Sequence, residues 1–415
     1  LRTSYTIIGE EPVQVISPPQ KLDALLVDLT LCDAQEGEER AKALASEDVA
    51  MPFDLARSPI CRVLVFKLGE EDHVVHFSLH HIAFDAWSRA VLTREVATLY
   101  NAFSRDEPSP LPEMRIQYAD FAGWQKKRLE QVMESQLAYW KSQLGGMARL
   151  NLPTDRPRPA IQSFGGANRE ISLPNKLSQD VIAMSRQEGV TVFMTLLSVF
   201  SMLLQRHAAQ DDVVIGSDIA YRTQVETEDL IGFFVNQMVL RINLGGNLTF
   251  RELVKRVRDV TLGAYSHQDL PFEKIVESLN PARDLSHHPL FQVKLVYQNV
   301  PESGFELPGI TILPFTVAEA TSKLDLVMFF WKTSRGISGR LEYSTELFEP
   351  STVDRMLNHF TTLLENAVAR PDSRIGNLEM LTPEEAQQQT EERMRILETD
   401  RQRLLGIRRV GAKPQ

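Results

Sequence analysis

The clearest break in the patterning of this chain falls at Gly145-Gly146 and the prolines that follow, Pro153, Pro157 and Pro159. On either side, stretches with the two-residue period of strands alternate with stretches at the three- and four-residue spacings of helices, which is α/β patterning. A single hydrophobic core stops growing near about 250–300 residues. A chain of 415 residues with such a break is therefore expected to form two lobes, residues 1–150 and 151–380. The remainder, 381–415, is Gln-, Glu- and Arg-rich and reads as a linker to a following domain.

Before the break, residues 62–68 and 73–79 alternate cleanly, with Val63/Val65 and Val75/Phe77/Leu79 on single faces. Gly69-Glu70-Glu71-Asp72 between them predicts a hairpin. After His81 the period lengthens, and Trp87, Val91, Leu92, Val96, Leu99 and Tyr100 mark one face of a helix. His80 and His81 thus sit where a strand gives way to a loop and a helix. Pro108, Pro110 and Pro112 mark a loop, and a helical stretch follows from about Gln117 to Leu144.

Beyond the break, Phe193, Leu196, Leu197, Phe200, Leu203 and Leu204 form a helical stripe, followed by the short apolar run Val213-Val214-Ile215. Further helices are expected from Thr249, an N-cap, and from Ser351; strands are expected at 291–298 and 324–332. Thr382-Pro383-Glu384-Glu385 has the form of a helix start with a capping-box Glu, opening a solvated helix. Its basic end, Arg408 to Gln415, is expected to be flexible. No internal repeat appears.

Composition removes several classes of function. A net charge of −10 argues against a duplex-binding surface, which needs clustered cations. No stretch approaches the roughly 18 apolar residues of a membrane span. Cys32 and Cys61 lie far apart without the spacing of a zinc or redox motif, which fits a reducing compartment such as the cytoplasm. The first residues show neither a secretory signal nor an initiator Met, so the chain reads as a piece of something longer.

Adjacent histidines at a strand end, with Asp85 four residues after His81, suit acyl transfer. An imidazole titrating near neutrality can accept a proton from an attacking amine or hydroxyl, and a nearby carboxylate can hold the geometry. Two histidines alone do not establish catalysis. A metal is not expected: His80 and His81 point to opposite faces while the strand lasts, and no Cys or Glu-x-x-His completes a set with His76, His80, His81 and Asp85. There is no phosphate-cradling Gly-rich loop and no Gly-x-Ser-x-Gly elbow.

The run Leu79-His80-His81-Ile82-Ala83-Phe84-Asp85-Ala86-Trp87-Ser88 resembles the His-His-x-x-x-Asp-Gly-Trp-Ser core of the condensation domains of nonribosomal peptide synthetases. Four companions follow in the family's order. Tyr118 to Gln125 is similar to Tyr-x-Asp-Phe/Tyr-Ala-x-Trp-Gln, and Ile231 to Gln237 with Arg241 is similar to Ile-Gly-x-Phe-Val-Asn-Thr with its trailing Arg. His267 to Glu273 matches His-Gln-Asp-x-Pro-Phe-Glu, and Arg283 to Phe291 resembles Arg-Asp-x-Ser-Arg-Asn-Pro-Leu-Phe. Five ordered motifs over about 200 residues are specific in combination, and only the first carries the chemistry.

The resemblance implies two chloramphenicol-acetyltransferase-like lobes in a V-shaped pseudo-dimer, with mixed sheets flanked by helices and the motif facing a tunnel between them. It implies amide formation between a carrier-bound acyl or peptidyl thioester and a carrier-bound aminoacyl thioester, both presented on phosphopantetheine, with no cofactor bound by the domain itself. The implied partners are upstream donor and downstream acceptor carrier proteins and flanking synthetase domains. His81 would be the catalytic residue, as general base or by positioning the amine. His80, Asp85, Trp87 and Ser88 would support it, Asp85 as a brace paired with an Arg. Asn236 and Gln237 are candidates for the tunnel between lobes.

Three departures stand out. Ala86 replaces Gly, at a cost of about 1 kcal/mol if φ is positive there and none if it is negative. His287-His288 replaces Arg-Asn, and Leu1-Arg2-Thr3 resembles the end of the family's Arg-His-Glu-x-Leu-Arg-Thr motif. The family's first strand and helix are therefore expected to be absent, and the brace for Asp85 is expected to be Arg2 or an Arg in that absent part. The retained His80 argues against heterocyclisation, where Asp replaces it, and Phe234-Val235-Asn236 argues against epimerisation. Ester formation, CoA-dependent acyl transfer and a catalytically silent recruitment module remain as alternatives.

Overall fold

The computed structural model describes residues 1–282, 284–298, 307–316 and 321–410, with backbone alone from 403 to 410. Arg283 and the last part of the basic tail, from Gly411, lie outside the described residues. The chain opens with a hairpin of β1 (Thr3–Ile8) and β2 (Glu11–Ile16). Next come β3 (Leu25–Asp28) and α1 (Ala34–Ala50), whose N-cap Asp33 accepts from the Glu36 amide at 2.8 Å. The expected hairpin follows as β4 (Cys61–Lys67) and β5 (His73–Leu79). β3 pairs parallel to β4, giving a three-stranded sheet whose small core consists of Leu29, Ala41, Ala45 and Phe66.

α2 (Ala86–Phe103) and α3 (Tyr118–Leu144) occupy the two helical stretches that the sequence marks. Asp120 in the first turn of α3 accepts from the Gln117 amide at 2.8 Å, one of the amides a helix start leaves unsatisfied. Trp140 and Leu144 at the end of α3 pack into the larger core of the molecule, together with Leu150 and Leu152 beyond it.

That core surrounds a six-stranded mixed sheet. In chain order the elements are β6 (Gly166–Ser172), α4 (Asn175–Gln187), α5 (Val192–Ala208), β7 (Asp212–Ile219), β8 (Asn236–Asn243), α6 (Phe250–Ser266) and α7 (Phe272–Leu279). They continue with β9 (Val293–Gln298), β10 (Leu326–Thr333), β11 (Gly336–Ser344), α8 (Pro350–Ala369) and α9 (Pro383–Val410). The spatial order is β6-β11-β10-β9-β7-β8, parallel at β10/β9 and β9/β7 and antiparallel elsewhere.

α5 is buried along its whole apolar length, from Phe193 to Leu204, and packs on α4, α6 and α8. Among the described residues no single helix is long and apolar enough to cross a membrane. Thr249 caps α6 as expected, accepting from the Glu252 amide at 3.2 Å while Glu252 accepts from the Thr249 amide at 2.7 Å. α8 begins one residue earlier than the sequence suggested, at Pro350, where a missing N–H costs nothing. β9 begins at Val293 rather than Phe291, and the Phe291 ring lies over Gly216 of β7, where any Cβ would overlap it.

Candidate functional site

At the end of β5 the His80 amide donates to the Ile60 carbonyl at 3.2 Å, which carries the strand's pairing one residue further. His80 Nδ1 then accepts from the Ile82 amide at 3.1 Å and caps a single 3-10 turn, His81–Ala83. A ring nitrogen that accepts leaves the other, Nε2, as the donor. The His80 ring meets Phe53 edge-on, with centroids 6.0 Å apart. His81 differs in its exposure and its polar contacts. Its side chain is exposed, and its imidazole makes no hydrogen bond with any described group. Its one aromatic contact among the described residues is a T-shaped one with Phe233, at 5.2 Å and 84°.

Asp85 is the N-cap of α2 and accepts from the Ser88 amide at 2.7 Å. Ala86 is the first helical residue and is not among the positive-φ positions, so replacing Gly there is without cost. Asp85 is 2 % exposed and Ser88 is fully buried, both lying beneath the segment 221–236 that leaves β7 and returns into β8. Among the described residues the cation that meets Asp85 is Arg222. The brace is therefore Arg222, with its guanidinium 3.2 Å from Asp85 Oδ1, and not Arg2, which belongs to the first hairpin, where its carbonyl accepts from the Ser17 amide.

Arg222 also donates to Ser88 Oγ at 3.0 Å and to the Leu230 and Thr227 carbonyls. It stacks 3.9 Å over the Phe234 ring. Burial pulls its pKa down from the ordinary value, and Asp85 opposes that shift.

Three members of the motif tie the same segment down. Ser88 Oγ donates to the Gly232 carbonyl at 2.8 Å and accepts from the Gly232 amide at 3.0 Å. Asp85 Oδ2 accepts from the Phe234 amide at 3.1 Å, and Trp87 Nε1 donates to the Glu228 carbonyl at 2.8 Å. From α3, Tyr118 donates to the Phe233 carbonyl at 2.7 Å, its ring occupying the space a Cβ on Gly232 would need. Arg128 and Tyr221 both reach Asp269, at 3.1 and 2.8 Å, and Trp140 donates to the His267 carbonyl at 2.9 Å.

Asn236 is saturated by backbone groups. Its Nδ2 donates to the Gln268 and Leu270 carbonyls at 2.9 and 2.8 Å, and its Oδ1 accepts from the Gln237 and Phe272 amides at 2.9 and 3.1 Å. It clamps the start of α7 onto the start of β8. Gln237 is half buried and lies across from Asp218, which accepts from Lys294 at 2.9 Å.

The His287-His288 pair acquires a physical account. His287 joins Asp284, Ser286 and Arg149, whose hydrogen bonds hold the Asp284 carboxyl far below the usual range. His288 stacks against Phe272 and Phe291 at 5.4 and 4.3 Å, and burial depresses it to about 4, so it serves as a neutral aromatic. Cys32 and Cys61 are free thiols, and among the described residues no group of His, Cys, Asp or Glu is arranged to hold a metal.

Residues 1–390 match the family profile of the condensation domain. The chain is 45% identical over 392 residues to a linear gramicidin synthase polypeptide of Brevibacillus parabrevis, the match covering 94% of this chain and 5% of that protein. It is 42% identical over 398 residues to chondramide synthase of Chondromyces crocatus, covering 96% of this chain and 10% of that one. The chain thus spans a small fraction of these curated relatives' lengths. Among solved structures it resembles the X-domain from teicoplanin biosynthesis, with a TM-score of 0.80, 28% identity and 92% and 86% of the two chains covered. That X-domain has also been solved in complex with OxyB.

Proposed function

The chain belongs to the condensation-domain family, and we propose that it joins a carrier-bound acyl or peptidyl thioester to the amine of a carrier-bound aminoacyl thioester, with His81 at the reacting atoms. One observation carries the assignment within the site. Of the motif's polar side chains, His80, Asp85, Trp87 and Ser88 are all engaged in holding the loop, which leaves His81 exposed and free to meet a substrate.

The acceptor nitrogen attacks the thioester carbonyl, a C–N bond forms, the C–S bond breaks, and the phosphopantetheine thiol leaves. The proton lost by the amine passes to His81 or is held in a hydrogen bond to it, and ends on the departing sulfur. A thioester is already activated, so holding amine and carbonyl in a near-attack pose supplies much of the rate, and proton transfer adds about 10²–10⁴-fold.

We take residues 1–150 and 151–380 as the two acyltransferase-like lobes, 381–415 as a linker, and the partners as donor and acceptor carrier proteins beside other synthetase domains, in the cytoplasm. The domain needs no cofactor of its own beyond the phosphopantetheine that presents its substrates. Asn236, saturated by backbone, is a clamp in this scheme, while Gln237 stays a tunnel candidate.

His81→Ala in the full-length protein, assayed for condensed product from loaded carriers, should lower the rate by about 100-fold or more. Undiminished product would favour the second reading, a silent recruitment module, which the likeness to an X-domain solved with a partner makes worth separating. Loading of the acceptor carrier with a hydroxy acid would point instead to ester formation.

A further inference from the structure

We infer that Phe233 is a positioning residue for His81, setting the orientation of the imidazole from the opposite side of the site. The inference rests on the catalytic reading of His81. A histidine that works as a base is commonly held by a hydrogen bond to one ring nitrogen, which fixes tautomer and orientation. His81 has no such bond among the described residues. The nearby carboxylate is not available for it, since Asp85 Oδ1 holds the Ser88 amide and Arg222 while Oδ2 holds the Phe234 amide.

What His81 does meet is the Phe233 ring, at 5.2 Å and 84°, inside the range and geometry that aromatic pairs prefer. The ring's place is fixed independently of the imidazole. The Phe233 carbonyl accepts from Tyr118 at 2.7 Å, both backbone groups of Gly232 are bound to Ser88 Oγ, and the Phe234 amide is bound to Asp85. Asp85 caps, and Ser88 lies in, the first turn of the helix that directly follows the turn carrying His81. The two rings therefore close a cycle of short contacts, and the distance between them is set by the loop itself.

Burial separates this ring from a packing aromatic. Phe234, the next residue, is 2 % exposed in a cluster with Phe121 and Tyr221, whereas Phe233 is 37 % exposed and turned towards His81. An aromatic left half open beside an exposed imidazole contributes little to the core and much to where that imidazole points.

The test compares Phe233→Leu, Phe233→Trp and His81→Ala in the full-length protein, with nitrogen-labelled histidine for imidazole spectra and single-turnover rates across acceptor concentration. Phe233→Leu should move the His81 ring resonances, assigned by their loss in His81→Ala. It should also lower the saturating rate by about 2- to 10-fold, the size of one aromatic pair, with the half-saturating acceptor concentration held within about twofold. Phe233→Trp should restore most of the rate.

Unmoved His81 resonances, or a change in half-saturation alone, would overturn the inference and leave Phe233 a plain wall of the site. If His81→Ala itself keeps full activity, the functional reading falls, while the spectra still decide whether Phe233 orients His81. Should Phe233→Leu not fold, Phe233→Met makes the same comparison.

Discussion

Asp85 and Arg222 are both almost wholly removed from water, with side chains 0 % and 2 % exposed, and neither can be understood without the other. Burying a lone carboxylate is costly, and removing one partner of a buried pair typically destabilises by about 3–5 kcal/mol. Arg222→Met is expected to fall in that range in urea denaturation. Arg222→Lys should recover only part of the loss, because a single ammonium cannot reach Asp85, Ser88 and the Thr227 and Leu230 carbonyls as a planar fork does. The double variant Asp85→Asn with Arg222→Met should cost less than the sum of the single changes; strict additivity would show that the pair is not coupled. Half of this arrangement is legible in the sequence. Asp85 stands at a visible helix start, whereas Arg222 is one arginine in a loop 137 residues away, unmarked by any period or spacing. Nothing local distinguishes it from Arg2; what selects it is the crossing segment that lies over the carboxylate in three dimensions.

The elements that the sequence reveals are those whose buried positions carry large apolar side chains. β9 alternates openly and buries Val293 and Leu295, and β10 is apolar from Leu326 to Trp331, whereas β5 alternates in letters but leaves Val75 and Phe77 exposed and buries Ser78. β11 alternates just as strictly in burial, but one of its inward positions is Gly339, where a Cβ would collide with the Phe330 ring and the Phe329 carbonyl of β10, so the pattern is broken in letters and not in space. α4 buries Leu177, Ser178, Val181, Met184 and Ser185, a correct helical stripe thinned by two serines that tie it to its neighbours, Ser178 accepting from the Ile337 amide of β11 at 3.0 Å and Ser185 meeting Thr195 of α5 at 2.8 Å. The joint between β8 and α7 is legible as a motif but not as a mechanism, because a saturated Asn236 and an Asn facing a tunnel are spelled alike. Asn236→Ala would strip partners from the Gln268 and Leu270 carbonyls and the Phe272 amide. At about 1 kcal/mol or more for each buried group left unpaired, a loss of roughly 2–4 kcal/mol is expected. Hydrogen exchange should show the amide of Phe272 opening well before the central sheet; unchanged protection there would contradict the clamp.

Over the whole molecule, a line of bonds ties α2 and α3 to residues 228–233 and 267–269, and the larger core takes in the end of α3 together with the six-stranded sheet. Histidines are embedded in or beside that core at two separate places. His288 lies between α7 and β9, and His207 stacks on His359, which passes a 3.0 Å hydrogen bond to Glu385 at the start of α9. Burial depresses both His288 and His207 to about 4. In the unfolded chain each titrates near about 6.5. Above that pH neither state binds the proton and stability is level. Between about 6.5 and 4 the unfolded chain takes up protons that the folded chain refuses, so stability falls as the pH falls. The loss should approach on the order of 2 kcal/mol for each histidine, after allowance for partial exposure. The carboxylates held low by their partners, Asp48, Asp284 and Glu385, act in the same direction, but their contribution is lost only as the pH drops through and below about 4. On account of these two histidines, unfolding midpoints should be level near pH 7 and decline from about 6.5, before most carboxylates titrate. His288→Phe keeps the stacking on Phe272 and Phe291 and removes one proton from the linkage, so its slope between about pH 6.5 and 4 should be shallower than that of the unaltered chain by close to one proton. An identical slope would mean that His288 is not the neutral aromatic its surroundings require.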